Sequence, residues 1–200
     1  MTDLFQEKAQ EWDTNDMIKR LSSAVGSCIL EHVELNEHMQ VMDFGAGTGL
    51  ITSQVAPHVN KITAVDVSPS MLEKLIAKQT LKEKVEPLCR DIIHEPIDTR
   101  FDLIVSAMAM HHVQDTDLML QRFAEHLKPN ARVVLADLDK EDGTFHPQDV
   151  EGVFHHGFKR GELQKKMEHN GFKDISFVTA HTVNKEEKSY PVFLALATRK

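Results

Sequence analysis

The chain has 200 residues, 23 of them basic and 31 acidic, for a formal charge of −8; 41% are hydrophobic and 27% charged, values that fit one globular domain with a substantial core and a short extension. An acidic balance without a lysine or arginine stripe argues against a nucleic acid or an anionic membrane as the main partner, and no apolar run approaches the length of a membrane span. The opening Met1-Thr2-Asp3-Leu4 lacks the layout of a secretory signal, and Cys28 and Cys89 stand too far apart to suggest a disulfide framework or a zinc ribbon, so a cytoplasmic location is expected.

Residues 3–36 read as mostly helical, with Leu21, Ala24, Val25, Cys28 and Ile29 at helical spacing on one packed face. Ahead of them, Phe5, Ala9 and Trp12 share a face if that stretch is helical too. Trp12 either anchors this arm to the body or helps it close over a ligand; the two readings are compatible. Val41 to Leu50 then reads as a buried strand, a glycine turn and the start of a helix that Pro57 stops. Gly45, Gly47 and Gly49 at every second position remove side chains that would hold a ligand off the backbone, and the helix start offers N–H groups to an anionic group. Lys61–Asp66 is a second buried strand ending in an acid. Ser68 caps the next helix with Pro69 in its first turn, and Met71, Leu72, Leu75 and Ile76 form its core face.

Lys84–Ile92 is the third strand, with Asp91 near its end, and Phe101–Ala107 is a near-continuously apolar fourth strand of the kind that sits centrally in a parallel sheet. It runs into Met108-Ala109-Met110-His111-His112-Val113. Asp115 or Thr116 caps a helix over Leu120, Phe123, Ala124 and Leu127, which Lys128-Pro129-Asn130 ends. Ala131–Asp137 is the fifth strand and residues 139–158 are irregular. A helix from about Lys159 to Asn170 stops at Gly171, and strands near 172–183 and 190–198 finish the chain. Strand and helix alternate, then two strands follow without a helix, which implies an α/β, Rossmann-like doubly wound sheet.

The run Asp43-x-Gly45-x-Gly47-x-Gly49 puts Leu50 where a dinucleotide fingerprint wants its third glycine. It resembles the first motif of the class I S-adenosylmethionine (SAM) methyltransferases, a resemblance that spans about residues 38–198. The arm, the Ser-Pro-x-Met-Leu helix start and the Met-His-His-Val turn are similar to the ubiquinone-biosynthesis (UbiE) or type 11 group. The resemblance implies seven strands in the order 3-2-1-4-5-7-6 with strand 7 antiparallel. It also implies an N-terminal helical arm over 1–36 and a cofactor-binding domain over 37–200. S-adenosyl-L-methionine is the implied cofactor. Asp43, Gly45, Ala46, Gly47, Thr48 and Gly49 would wrap its methionine and ribose, and Val67, Met71, Ser106 and Met108 would line the same site. Asp66 would accept from both ribose hydroxyls, the place an acid after a second strand suits. Asp91 would face the adenine amino group and Ile92 its ring.

Methyl transfer to a neutral amine or hydroxyl also needs a proton removed, and His111 or His112, at the end of the central strand, is the candidate for that work. A packing role for either is the competing reading. No Pro-Pro-aromatic motif follows the fourth strand; Ser106-Ala107-Met108-Ala109 stands there, which with the acidic charge favours a small-molecule acceptor. Asp137, Asp139, His146, His155 and His156 form a second cluster. Trp12, Asp137, His155 and His156 are the expected substrate contacts, and Phe145, Phe154 and Phe158 a lid or core. The spacing matches no metal signature, so no metal is expected. A nicotinamide-dependent oxidoreductase and a SAM-binding module without catalysis are the alternative readings.

Overall fold

The computed structural model describes residues 3–147 and 150–200. Seven strands form one sheet in the order β3-β2-β1-β4-β5-β7-β6. They are β1 (Gln40–Phe44), β2 (Lys61–Asp66), β3 (Val85–Cys89), β4 (Phe101–Ala107), β5 (Leu127–Leu138), β6 (Phe172–Lys185) and β7 (Lys188–Arg199). β1 to β5 are mutually parallel, and β7 enters antiparallel between β5 and β6. Central strands are flanked on both faces, which is why β4 carries Leu103, Ile104 and Val105 without alternation, all 0–1% exposed. Pro87 is tolerated in β3 because that strand is an edge and pairs with β2 alone.

Five α-helices surround the sheet: α1 (Asp16–His32), α2 (Leu50–Val55), α3 (Pro69–Ile76), α4 (Thr116–His126) and α5 (Arg160–His169). Side chains cap the starts of α1, α3 and α4. Ser68 Oγ accepts from the Met71 N–H at 3.3 Å, and Asp115, rather than Thr116, caps α4 through Leu118 N–H at 2.9 Å. One apolar core lies beneath α1 and α2, where Val25, Ile29, Val41 and Val55 meet Leu194. The other lies beneath α4 and α5, where Phe101, Phe123, Met167 and Phe193 meet.

Two segments depart from the sequence reading. Residues 3–15 form a chain of turns, with 3-10 helices at Lys8–Gln10 and Trp12–Thr14, and the regular helix begins only at Asp16. Asn15 causes the break: its side chain accepts from the N–H groups of Met17 and Ile18 while its backbone is extended. α1 packs on α2, β6 and β7, so residues 3–15 alone lie across the strand ends. The second departure is β5, which begins at Leu127, directly after α4, with a bulge between Phe101 and Leu103 and Asn130 in the left-handed region at φ 60°. Leu127 is fully buried against the second core, so the chain cannot loop away before pairing. No helix among the described residues is long and apolar enough to cross a membrane.

Candidate functional site

The carboxyl ends of β1, β2, β4 and β5 open onto one edge, where ligands sit in open parallel sheets. The three glycines of the β1 turn have different jobs. A Cβ on Gly45 would lie 2.3 Å from Ala109 Cβ, and one on Gly49 would lie 2.9 Å from Leu75, so protein packing already claims both positions. Only Gly47, at φ +54°, has nothing within 4 Å of where its Cβ would stand. Of the three, Gly47 alone leaves open space where its side chain would stand.

Four N–H groups of the same turn are engaged within the protein. Gly45 and Ala46 donate to Val65 O, Gly49 to Ala46 O, and Gly47 N–H to Asp66 Oδ2 at 2.7 Å. The helix that follows has six residues and no side-chain cap. The N–H groups of Gly45, Ala46, Gly47 and Gly49 hold the turn's shape. A phosphate cradle needs those groups outward.

Asp66 ends β2 with both oxygens engaged, Oδ2 by Gly47 and Oδ1 by Ser68 N–H at 2.9 Å. Burial pushes its carboxyl up, against the pull of those backbone bonds. Each oxygen keeps acceptor capacity for a further donor. Val67 beside it is 53% exposed, an apolar side chain left uncovered at the strand end. Asp91 folds back on its own turn, Oδ1 accepting from Ile93 N–H at 3.0 Å and Oδ2 lying 2.7 Å from His94 Nδ1.

Other residues expected to contact a ligand support the site from beneath. Ile92 is fully buried with Met42, Val65 and Ile104, and Met71 is buried in α3. Ser106 donates to Phe44 O at 2.9 Å. Met108 takes φ 55° as its N–H bonds Ala136 O, which turns the chain sharply after β4. Asp43 is 1% exposed and accepts from Thr52 Oγ1; burial pushes it up to about 7, partly offset by that bond.

Beyond β4, His111 and Asp137 form a buried pair. Asp137 Oδ1 lies 2.9 Å from His111 Nδ1 and also accepts from Leu138 N–H, and Oδ2 accepts from His111 N–H. A carboxylate only accepts, so the imidazole carries its proton on Nδ1 and keeps a lone pair on Nε2. His112 does the same toward Gly152 O at 2.7 Å. His146 stacks beside them, its ring 4.9 Å from that of His111 and 6.2 Å from that of His112. Burial, then the neighbouring His111, lowers both His112 and His146 to about 4. Glu141 sets up this third ring: its Oε2 gathers the N–H groups of Gly143, Thr144 and Phe145, folding the turn that carries His146.

His155 and His156 do not join this group. His155 Nε2 bonds Val113 O, and His156 lies toward the nearly buried Glu141 carboxylate. Asp137 holds a histidine rather than facing outward, and Asp139 is clamped by Arg160 at 2.7 Å through two nitrogens. The arm lies over the whole edge. Asp3 Oδ2 accepts from Ser70 N–H and Oγ, Asp13 takes the Thr48 hydroxyl and Lys78, and the Phe5 ring stands edge-on to His112 at 5.3 Å and to Trp12 at 6.3 Å. Sequence reading did not assign Asp3, Phe5 and Asp13 to the site; their acids are scattered and carry no pattern. Among the described residues, no group of three His, Cys, Asp or Glu side chains is arranged to hold a metal ion.

Comparison with known proteins agrees with this geometry. A model of a methyltransferase domain matches residues 42–133. An uncharacterized methyltransferase of Schizosaccharomyces pombe is 32% identical over 165 residues, 74% of this chain and 57% of that protein, so the chain spans little more than half of it. Among solved structures, a chain from the complex between the Haloferax volcanii Trm112 methyltransferase activator and a methyltransferase superposes with a TM-score of 0.83. It is 16% identical, and the match covers 100% of this chain and 99% of that one. The DhpI–SAH complex gives 0.76 at 20% identity, over 98% and 94%. At such identities the likeness is one of fold.

Proposed function

We propose that the chain is a class I S-adenosylmethionine-dependent methyltransferase and that it transfers a methyl group from this cofactor to a small-molecule acceptor. One observation carries the reading. Gly47, the open glycine, donates to Asp66, so the turn and the second strand's acid form a single unit at the edge where Val67 is bare. That unit suits a neutral ribose with two hydroxyl donors beside an apolar base. It suits a pyrophosphate less well, because the N–H groups of Gly45, Ala46, Gly47 and Gly49 are spent on the protein, which disfavours a nicotinamide dinucleotide.

When bound, the cofactor supplies an electrophilic methyl on a sulfonium. The protein's part is to position the acceptor in line and to exclude water. Asp66 would hold the ribose, and Asp91, by its place past β3, the adenine end. Phe5 and Trp12 would close the entrance from the arm. His111 is the group to take a proton from the acceptor: Asp137 fixes its ring, sets its tautomer and stabilises the imidazolium that forms. His112 is held to about 4 by burial and by its neighbour His111, which suits a wall of the site rather than its base.

Titration of the protein by calorimetry with S-adenosylmethionine and separately with NADH tests the cofactor. Heat with NADH alone would end the reading. Incubation with isotope-labelled S-adenosylmethionine and a metabolite extract then tests transfer, and label found only in macromolecules would end the small-molecule part.

A further inference from the structure

Asp43 and Asp66 are buried acids without a counter-charge. Asp43 bonds the Thr52 hydroxyl and Asp66 two backbone N–H groups. No lysine, arginine or histidine among the described residues forms an ion pair with either. The groups around them do not make up the deficit. From the arm, Asp3 raises Asp66 further, and Asp13 lies on Thr48 of the glycine turn. Lys78, past α3, is taken by Asp13 at 2.8 Å, and Lys8 lies over the Phe5 ring. Arg90, past β3, is exposed, while His111 and His112 turn to Asp137 and Gly152. A buried pair of carboxylates favours keeping a proton on one of them until a cation arrives. Asp43 is the deeper of the two: burial holds it up at about 7, the Thr52 hydroxyl pulls against that, and Asp66 adds to it.

We propose that Asp43 tells the methyl donor from its spent product by charge, giving its proton to water when the donor's sulfonium binds and taking one back when the sulfur is neutral. The proposal rests on the methyltransferase reading. S-adenosylmethionine carries a cation beyond its balanced amino-acid group, and S-adenosylhomocysteine carries a neutral thioether in its place. In a poorly hydrated site a charge is felt over several ångströms, so Asp43 acts from beneath the turn without touching the guest. Asp66 serves donor and product alike, because both carry the same ribose. Below about pH 7 the empty site holds a proton on Asp43, which donor binding must expel. Affinity for the donor therefore rises with pH up to about 7 and is level above it. Any titration of Asp66 is common to both ligands, so the ratio of their affinities isolates Asp43.

The test is calorimetry of the full chain with S-adenosylmethionine, S-adenosylhomocysteine and sinefungin, which bears an ammonium where the donor has its methylsulfonium. Buffers of different ionisation enthalpy report the protons exchanged. No heat with any of the three overturns the methyltransferase reading, and this proposal with it. With binding established, the donor-to-product affinity ratio should rise about tenfold from about pH 5.5 to 7.5. At about pH 6 the donor and sinefungin should each release about half a proton or more, and the product close to none. Asp43→Asn keeps an acceptor for Thr52 and should flatten the ratio and abolish the release. Thr52→Val removes the bond that favours the ionised carboxyl, so the rise should move to higher pH. In the wild-type protein, difference infrared spectra should lose a protonated-carboxyl band with the donor and keep it with the product. A ratio independent of pH, equal release by donor and product, or no release with sinefungin would overturn the assignment and leave the cofactor reading standing. So would release retained in Asp43→Asn, an unmoved rise in Thr52→Val, or an unchanged infrared band.

Discussion

Asp3 of the arm accepts hydrogen bonds from both the backbone N–H and the hydroxyl of Ser70, at 3.1 and 2.7 Å, across 67 residues of sequence. With Asp13 on Thr48 and Lys78, it ties the arm to the first turn of α3 and to the glycine turn. These bonds are partly exposed and are worth about 1 kcal/mol each. A chain with Asp3→Ala and Asp13→Ala should release S-adenosylmethionine about three- to tenfold faster in stopped-flow, with the folded core unchanged in circular dichroism. Unaltered release would mean that the arm does not cover the cofactor.

Asp66→Ala should weaken cofactor binding about 100-fold in calorimetry, the scale of two lost charge-assisted hydrogen bonds. The same change frees Gly47 and Ser68 N–H groups, so a modest fall in Tm should accompany it. Undiminished affinity would remove Asp66 from the site.

Gly45→Ala and Gly47→Ala should part company. Both force a side chain into the left-handed region, at a cost of about 1–2 kcal/mol. Gly45→Ala also collides with Ala109 and should lose further stability in urea, some of it recovered by adding Ala109→Gly. Gly47→Ala has space and should fold, losing cofactor affinity instead. Equal loss of stability in the two would contradict the division of labour in the turn.

The stability of the protein should rise between about pH 4 and 6.5. Burial lowers His112 and His146 from 6.5 to about 4, so across that window the unfolded chain binds protons that the native state refuses. Asp43 opposes them: raised by burial from 3.8 to about 7, it holds a proton in the native state that the unfolded chain has released, so its contribution falls as pH rises. Asp66, also raised by burial, opposes the rings in the same sense, so the two histidines leave a net rise of less than about one proton. Urea midpoints across the window should flatten in His146→Phe and steepen in Asp43→Asn, and reversed slopes would refute the proton count.

The sheet was readable because local signals agreed with one another. Apolar runs of strand length alternate with capped helices, and Ser68 and Asp115 mark their helix starts by short-range chemistry alone. The site was readable where it follows a strand end, as at Asp66 and His111. It was not readable where partners meet through long loops. His146 reaches His111 only because Glu141 folds the intervening turn, and no period in the sequence records that. The arm misled for a physical reason: Phe5, Ala9 and Trp12 keep helical spacing, yet Asn15 and Asp3 divert side chains to the backbone and break the helix into turns. The glycines misled in the opposite sense, since spacing cannot distinguish a residue that admits a ligand from one that admits Ala109.

β7 has a consequence for how the chain is made. Arg132–Leu138 of β5 finds its second neighbour, and most of β6 its one strand partner among the described residues, in Lys188–Arg199, made after the other six strands. Until then, the nascent polypeptide carries β6 with nothing to zip onto and β5 with a bare rim of carbonyl and amide groups, the surface on which sticking between molecules begins. A chain from which those twelve residues are deleted should therefore be recovered as an insoluble product rather than as a shortened folded domain.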